Sequence, residues 1–210
     1  MDGLSIELAK RVGQVLTLDD AKAIARAVTG GHSLDLESIA PGWHADAFTL
    51  QPVWLDSEFS ALEAHRLNGL SEVHPGEPVD VCWERIRELE RLGRYVIFVA
   101  RWPDGRLAAS LWLYFTRSLN NGTLTVTDDM LYLEPEVRNS LLAVGLCRYA
   151  EAVMFGLGAR ACTLQSYDVN KAGRLAKFLG YQKVADLYRK ANYSGEASLT
   201  PTRHQGSTNG

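Results

Sequence analysis

The feature that most constrains the fold is a strand, a long helix and a second strand within residues 123–167. The segment TLTVTDDMLYLEP predicts a strand that ends in a turn at Pro135, and residues 139–157 predict a helix that stops at Gly158. The short segment ACTLQSY, residues 161–167, predicts the next strand. Because a helical crossover returns the chain to the same side of a sheet, these two strands must run parallel.

Turn signals upstream of this unit predict antiparallel strands. Pro103-Asp104-Gly105 and Asn121-Gly122 each join two strands in the manner of a hairpin. The predicted order is therefore β-α-α-β-β-β-α-β-α-β, which gives a mixed α/β (α+β) sheet. The other predicted elements are a strand within 46–55, helices at 56–70, 80–93 and 170–180, and a last strand at 181–191.

The chain is predicted to form one main domain with two appendages. Its 210 residues, 46% of them hydrophobic, are enough for one good core. Residues 1–45 predict a helical N-terminal appendage that ends in a linker, and residues 46–193 predict the main domain. Residues 194–210 are polar and predict a disordered tail.

Composition excludes several classes of function. The formal net charge is −3 with both signs interspersed, which does not indicate direct nucleic-acid binding. The three cysteines lack metal-ligand spacing, so no metal site is predicted. The N-terminus has no signal-peptide core, and no apolar run is long enough to span a membrane. We therefore expect a cytoplasmic protein, and leave open whether it forms an oligomer.

Two ionisable side chains are expected to face solvent. In the predicted helix 80–93, Ile86 faces inward, which places Glu90 on the wet side, four residues before Arg94. His65, on the preceding helix, is expected to be partly exposed, because that is the commoner environment of a helical histidine.

The junction before the long helix is suited to an anion. The helix is predicted to begin near Asn139 or Ser140, both good N-caps. Its first amide N–H groups have no partner inside the helix, and its dipole favours negative charge, so a pyrophosphate could bind there. Arg138, just before the helix, supplies a charged donor. The alternative is an ordinary helix start with Arg138 in solvent.

Two motifs around this helix resemble those of the GNAT superfamily of acyl-CoA-dependent N-acyltransferases. Arg138 and Ala143 match the family's Arg/Gln-x-x-Gly-x-Gly/Ala loop after the strand LYLEP. The family's later motif is matched within VNKAGRLAKFLGY by Asn170, Ala172, Leu175, Leu179, Gly180 and Tyr181. The resemblance covers about residues 46–191. The layout is also similar to that of GNAT-like proteins encoded by tailed bacteriophages.

This resemblance implies a GNAT-like fold with a splayed central strand pair, which holds acetyl-CoA as the acyl donor. The pantetheine is expected to pair with the backbone of Leu131, Tyr132 and Leu133, and Asn170 to approach it. The pyrophosphate is expected on the N–H groups of the helix start, at Arg138, Asn139, Ser140, Leu141, Leu142 and Ala143. Leu141 departs from the family because it replaces the first loop glycine, where a side chain could obstruct the phosphate.

The catalytic positions of the family are only partly matched. Aminolysis of a thioester needs a base for the amine. Two positions that ionise in many family members are occupied here by Gln165 and Ala176, which cannot. The remaining candidate acids for the leaving thiolate are Tyr167 and Tyr188.

Asp128 and Asp129 are the remaining candidate bases. Strand alternation places them on opposite faces, with Asp129 on the side of Leu131 and Leu133. Asp129 is favoured, because partial burial beside an apolar cleft raises the pKa of a carboxylate.

The sequence thus predicts an N-acyltransferase that moves an acetyl group from acetyl-CoA to an amine on a protein, a small molecule or a modified base. One alternative is a catalytically degenerate GNAT-fold module with a binding or structural role. Another is a phage effector, active in the host cytoplasm, that contacts a host protein through residues 1–45.

Overall fold

The computed structural model describes residues 36–44, 47–119, 121–167 and 172–185, together with positions 13, 17 and 20. Within these residues, six strands form one sheet and four α-helices pack around it. The strands are β1 (Gly42–His44), β2 (Phe48–Val53), β3 (Tyr95–Arg101), β4 (Leu107–Arg117), β5 (Leu124–Leu133) and β6 (Ala161–Thr163). The helices are α1 (Phe59–Val73), α2 (Trp83–Arg91), α3 (Leu142–Gly156) and α4 (Ala172–Leu179).

The order of strands in the sheet follows the chain from β1 to β6. Neighbouring strands from β1 to β5 are antiparallel, and β6 joins β5 in parallel after the crossover through α3. Gly105 and Gly122 lie at the two predicted hairpin turns with φ of 89° and 68°, which glycine adopts at little cost. The predicted mixed α/β sheet with one parallel pair is confirmed.

Two predicted segments differ from the structure. Residues 42–44, expected in a linker, form β1 at the edge of the sheet. The last predicted strand, 181–191, has no regular secondary structure in residues 181–185, and its other residues lie outside the described part of the chain.

Contacts with α3 explain why β1 forms. Gly42 lies against the ring of Tyr149, and Gly145 of α3 lies against the ring of His44, so a Cβ at either glycine would collide with the facing ring. The Tyr149 hydroxyl also donates a hydrogen bond to the carbonyl of Ala40 at 2.8 Å. A three-residue strand held by tertiary contacts leaves too short a pattern to be predicted from the sequence.

The sheet carries an apolar core on each face. On the face that we call the α3 face, the fully buried Leu142 and Leu146 of α3 pack in one cluster with Phe98. On the opposite face, which we call the α1/α2 face, Leu62 of α1 packs in a second cluster with Trp112. The helices thus cover the sheet from both sides.

Glu90 on α2 is buried, which corrects the prediction that it faces solvent. Its Oε1 accepts a hydrogen bond from the backbone N–H of Leu55 at 2.9 Å, at the start of a short 3-10 helix, Leu55–Ser57. Burial raises the pKa of Glu90 to about 7, although the bond from Leu55 opposes this shift. Helical periodicity missed this because the partner lies 35 residues away in the chain.

We expect the contribution of Glu90 to the stability of the protein to fall as the pH rises from about 4.5 to 7. In this range the folded state keeps a proton on Glu90 that the unfolded state has lost. Glu90→Gln retains an acceptor for Leu55 but cannot ionise, so it should raise the free energy of unfolding at pH 8 by about 1–2 kcal/mol. Urea unfolding at pH 5 and pH 8 measures this. Glu88→Gln, on the exposed side of α2, should show no such gain, and an equal gain would contradict the assignment.

Candidate active site

The central strands β5 and β6 separate after a short region of pairing. They pair only at Thr125–Thr127 with Ala161–Thr163. Residues 130–133 of β5 still pair with β4 on one side, but no strand in the described part of the chain pairs with their other side. This gap is the predicted splay, and it leaves one edge of β5 open to pair with an extended ligand.

The apex of the splay is held by Asp128 and Gln165. The carboxylate of Asp128 accepts the backbone N–H of Gln165 at 2.6 Å, and the side-chain amide of Gln165 donates to the carbonyl of Asp128 at 2.8 Å. The second bond needs a donor, which a glutamate carboxylate could not supply. Gln165 therefore has a structural role at the position where some GNAT members carry an ionisable Glu.

Asp128 lies on the α3 face, where it is only 4% exposed. It lines a cavity of about 20 Å³, room for one water molecule, together with Cys147, Cys162 and Tyr181. Burial raises the pKa of Asp128 to about 7, against the opposing effect of the N–H of Gln165. Asp128 is thus a carboxyl group able to exchange a proton near neutral pH, but it is enclosed.

Asp129 lies on the opposite face of the sheet, at a β-bulge in β5. Asp128 pairs with Leu113 and Met130 pairs with Trp112, so Asp129 is an extra residue in β5. Met130 packs in the cluster of the α1/α2 face, whereas Leu131 packs against the cluster of the α3 face.

The positions of the two aspartates confirm one prediction, and the bulge corrects another. Asp128 and Asp129 lie on opposite faces, as predicted. Asp129 does not share a face with Leu131 and Leu133, because the extra residue shifts the alternation of β5 by one position.

Asp129 is held on the α1/α2 face by one hydrogen bond and one ion pair. The hydroxyl of Tyr95 donates to Asp129 Oδ2 at 2.5 Å, and Arg66 Nη1 lies 2.7 Å from the same oxygen. Burial, followed by the negative charge of Asp129, raises the pKa of Tyr95 well above its usual range, so Tyr95 remains a donor. Tyr95 and Arg66 were not predicted, and no sequence signal links residues so far from Asp129 in the chain.

These residues line a cavity between α1, α2 and the sheet. Its volume is about 380 Å³, which is within the size range of small-molecule sites. Its polar lining includes Arg66, Asp80, Arg85, Tyr95, Tyr114 and Asp129. The partly exposed carboxylate of Asp129 thus lies in the wall of this cavity, at the apex of the splay and on the side away from α3.

The start of α3 differs slightly from the prediction. The helix begins at Leu142 rather than near Asn139 or Ser140, and the hydroxyl oxygen of Ser140 accepts the N–H of Leu142 at 3.1 Å. Within the described residues, the amides of Ala143 and Val144 have no acceptor. These two N–H groups are therefore free to bind an anion.

Leu141 and Leu142 point in opposite directions at this helix start. Leu141 is 63% exposed, whereas Leu142 is fully buried in the core of the α3 face. The side chain that replaces the family's glycine thus lies at the surface, two residues before the first of the free amides.

Arg138, the predicted phosphate donor, already has protein partners. Its Nε donates to the carbonyl of Leu133 at 2.9 Å, and its Nη2 lies 2.5 Å from Glu72 Oε1 on α1. The guanidinium also stacks over the ring of Tyr132 at 5.5 Å. The guanidinium that the sequence assigns to the phosphate is thus engaged by Glu72 and by the carbonyl of Leu133.

The other predicted site residues are Tyr167, Asn170 and Tyr188. Tyr167 is partly exposed, and its ring meets His74 edge-on at 5.5 Å. Asn170 and Tyr188 lie outside the described residues. Their predicted roles therefore stay predictions.

His65 is buried, which corrects the expectation that it is partly exposed. Its Nδ1 lies 3.0 Å from the hydroxyl of Ser110, and its Nε2 lies 3.2 Å from a carboxylate oxygen of Glu134. Burial lowers the pKa of His65 to about 4, so the ring is neutral at pH 7. His65 thus joins α1 to β4 and to the end of β5 as a structural group.

Some other chemistries find no support in this part of the molecule. Burial raises the pKa of the Cys147 thiol to about 12 and that of Cys162 to about 11, so neither is a ready nucleophile. Among the described residues, no group of three or more His, Cys, Asp or Glu side chains could hold a metal ion. In the same residues, no helix is long and apolar enough to cross a bilayer.

Several solved structures of acetyltransferases have a similar fold. An aminoglycoside acetyltransferase from an uncultured soil metagenomic sample, in complex with sisomicin, has a TM-score of 0.56 at 13% identity, over 70% of this chain and 98% of that one. A GNAT family acetyltransferase from Staphylococcus aureus has a TM-score of 0.51 at 14% identity, over 70% and 99%. The protein has the GNAT fold.

A third structure with the GNAT fold is the aminoglycoside N-acetyltransferase AAC(6')-Iy in complex with CoA. Its TM-score is 0.56 at 14% identity, over 73% of this chain and 97% of that one. No protein-family model and no curated protein matches the sequence. The likeness at these identities therefore establishes the GNAT fold, while activity has to be argued from the residues.

Proposed function

We propose that the protein is an N-acetyltransferase that moves the acetyl group of acetyl-CoA to an amine. The observation that carries this proposal is the position of Asp129, at the apex of the splay and in the wall of a cavity of about 380 Å³. The open edge of β5 offers backbone groups to the pantetheine at Leu131, Tyr132 and Leu133. The free amides at the start of α3 offer donors to the pyrophosphate.

The reaction is aminolysis of the acetyl thioester. The amine nitrogen attacks the carbonyl carbon, a C–N bond forms, the C–S bond breaks, and CoA leaves as a thiolate. Asp129 is the base that takes the amine proton, directly or through a water molecule, while Tyr95 and Arg66 fix the position of its carboxylate. Tyr167 and Tyr188 stay the candidate acids that return a proton to the thiolate.

The alternative of a catalytically degenerate module is not favoured. It was based mainly on Gln165, Ala176 and Leu141. Gln165 has a role in holding the apex of the splay, and Asp129 supplies a carboxylate on the cavity side, so an ionisable group at position 165 is not needed. The narrower prediction of a phage-type subgroup rests on the sequence pattern alone.

Binding of acetyl-CoA is the direct test of this function. A ligand present at a hundred times its Kd should stabilise the folded protein by about 2.7 kcal/mol, which a thermal-shift assay detects. Acetylated pantetheine, which lacks the nucleotide and pyrophosphate, should stabilise it much less. The absence of a shift at millimolar acetyl-CoA would contradict the proposal. Release of CoA thiol in the presence of an amine would show that the acetyl group is transferred.

Glu72→Gln is expected to tighten acetyl-CoA binding. Arg138 is paired with Glu72, and this pair competes with the pyrophosphate for the guanidinium. Because exposed ion pairs contribute about 0.2–1 kcal/mol, the Kd should fall by about 1.4- to fivefold. Calorimetric titration measures it, with Glu63→Gln on the same helix as a charge-matched control. Equal Kd values for the two variants would show that Glu72 does not hold Arg138 back.

A further inference from the structure

Arg66 is a buried cation, only 9% exposed, in the wall of the cavity between α1, α2 and the sheet. Its guanidinium lies over the ring of Trp112 at 5.3 Å. Within the described part of the chain, its Nε and Nη1 are buried without a hydrogen-bond partner. The 2.7 Å contact of Nη1 with Asp129 is thus an ion pair without a well-directed hydrogen bond.

Buried donors without an acceptor are costly. Each unsatisfied group destabilises a folded protein, and a charged group does so more strongly than a neutral one. Native proteins keep few such groups, and one in the wall of a cavity calls for an explanation such as a catalytic or binding role. A planar guanidinium is best satisfied by a carboxylate, which accepts two parallel N–H bonds.

The charges of the cavity argue against a polycationic acceptor. Its lining has two cationic side chains, Arg66 and Arg85, and two carboxylates, Asp80 and Asp129. A ligand with several ammonium groups needs an excess of negative charge, which this lining lacks. Because Arg66 and Asp129 are in direct contact, their complement is a ligand whose positive and negative groups are also close together.

We propose that the acceptor is a free amino acid, with its amine at Asp129 and its carboxylate at Arg66. The proposal rests on the N-acetyltransferase function and names the substrate class of the same site. The cavity volume of about 380 Å³ accommodates an amino acid with a side chain of ordinary size. Arg66 acts as a specificity residue, because it touches the substrate and takes no part in proton transfer.

The test compares free amino acids with their C-terminal amides, which keep the amine but lose the negative charge. With the intact chain and saturating acetyl-CoA, thiol release should give kcat/KM values for the best amino acids at least tenfold above those of their amides. Polyamines and aminoglycosides should be poorer still. Amides or polyamines that react as well as the amino acids would overturn the proposal.

Variants of Arg66 make the assignment specific to that residue. Arg66→Met should bring the ratio of kcat/KM for an amino acid to kcat/KM for its amide close to 1. Arg66→Lys should restore part of this ratio. Both variants should keep the thermal shift with acetyl-CoA unchanged. Arg85→Gln, at the exposed rim, should keep most of the ratio. A ratio that survives in Arg66→Met would overturn the assignment. If Arg66→Met does not fold, the same measurement on Arg66→Lys decides, and a ratio equal to wild type would overturn it.

A binding measurement separates this proposal from the wider one. Thermal shifts with the amino acids and amides alone, without acetyl-CoA, report the cavity independently of catalysis. Stabilisation by the acids and not by the amides supports the Arg66 subsite even if no acetyl group is transferred, and equal shifts or none at all overturn it. The absence of any shift with acetyl-CoA counts only against the N-acetyltransferase function.

Discussion

Asp129→Asn is expected to slow acetyl transfer by about 10²- to 10⁴-fold, the usual contribution of a general base. The amide cannot take a proton from the amine, yet it can still accept the hydrogen bond from Tyr95, so the bulge should persist. The affinity for acetyl-CoA should stay within about twofold, because the donor is bound mainly by backbone groups of β5 and α3. Steady-state thiol release with saturating acetyl-CoA measures the rate, and calorimetry measures the affinity.

Asp128→Asn is the matched control for this prediction. It makes the same chemical change at the neighbouring residue, on the α3 face, and leaves an oxygen to accept the N–H of Gln165. Its turnover should fall less than tenfold. If instead Asp128→Asn abolishes turnover and Asp129→Asn does not, the base is Asp128 and the proton leaves through the small cavity. Its pKa of about 7 would then appear in the pH dependence of the rate.

Leu142→Ala is expected to have the largest effect on stability. Leu142 is fully buried at the first position of α3, where it joins the helix to the core of the α3 face. Removing a buried leucine side chain should lower the free energy of unfolding by about 2–5 kcal/mol. In a chain of this size, about 3 kcal/mol corresponds to a fall in Tm of roughly 6–12 °C.

Leu141→Ala is the control, since the two leucines are adjacent in the chain. Leu141 is exposed, so its loss should change stability by less than about 0.5 kcal/mol. Because its side chain lies at the surface two residues before the first of the free amides of α3, the same change should improve acetyl-CoA binding. Equal losses of stability in the two variants would contradict the orientation of this helix start.

The order of strands and helices could be predicted because it depends on local patterns. The hairpin turns at Gly105 and Gly122 need glycine, and a strand, a long helix and a strand can join one sheet only in parallel. The motif around Arg138 lies between β5 and α3. These signals involve neighbouring residues, so composition and spacing are enough to detect them.

The environment of the ionisable groups could not be predicted from those patterns. Glu90 and His65 were assigned to solvent from helix positions, but each has a partner from a distant segment and is buried. Tyr95 and Arg66, which hold Asp129, reach it from β3 and α1. Such contacts depend on how elements pack together, which a local pattern does not contain.

The sequence by itself determined a mixed sheet with one parallel pair, two candidate aspartates at its centre, and a helix start suited to an anion. Only the tertiary structure shows that Asp129 lines the cavity of about 380 Å³ and that it faces away from Leu131 and Leu133. Strand alternation assumes an unbroken ladder, and the extra residue at Asp129 reverses the facing of every later side chain in β5. The register of β4 against β5 determines that outcome, and register is a property of the assembled sheet.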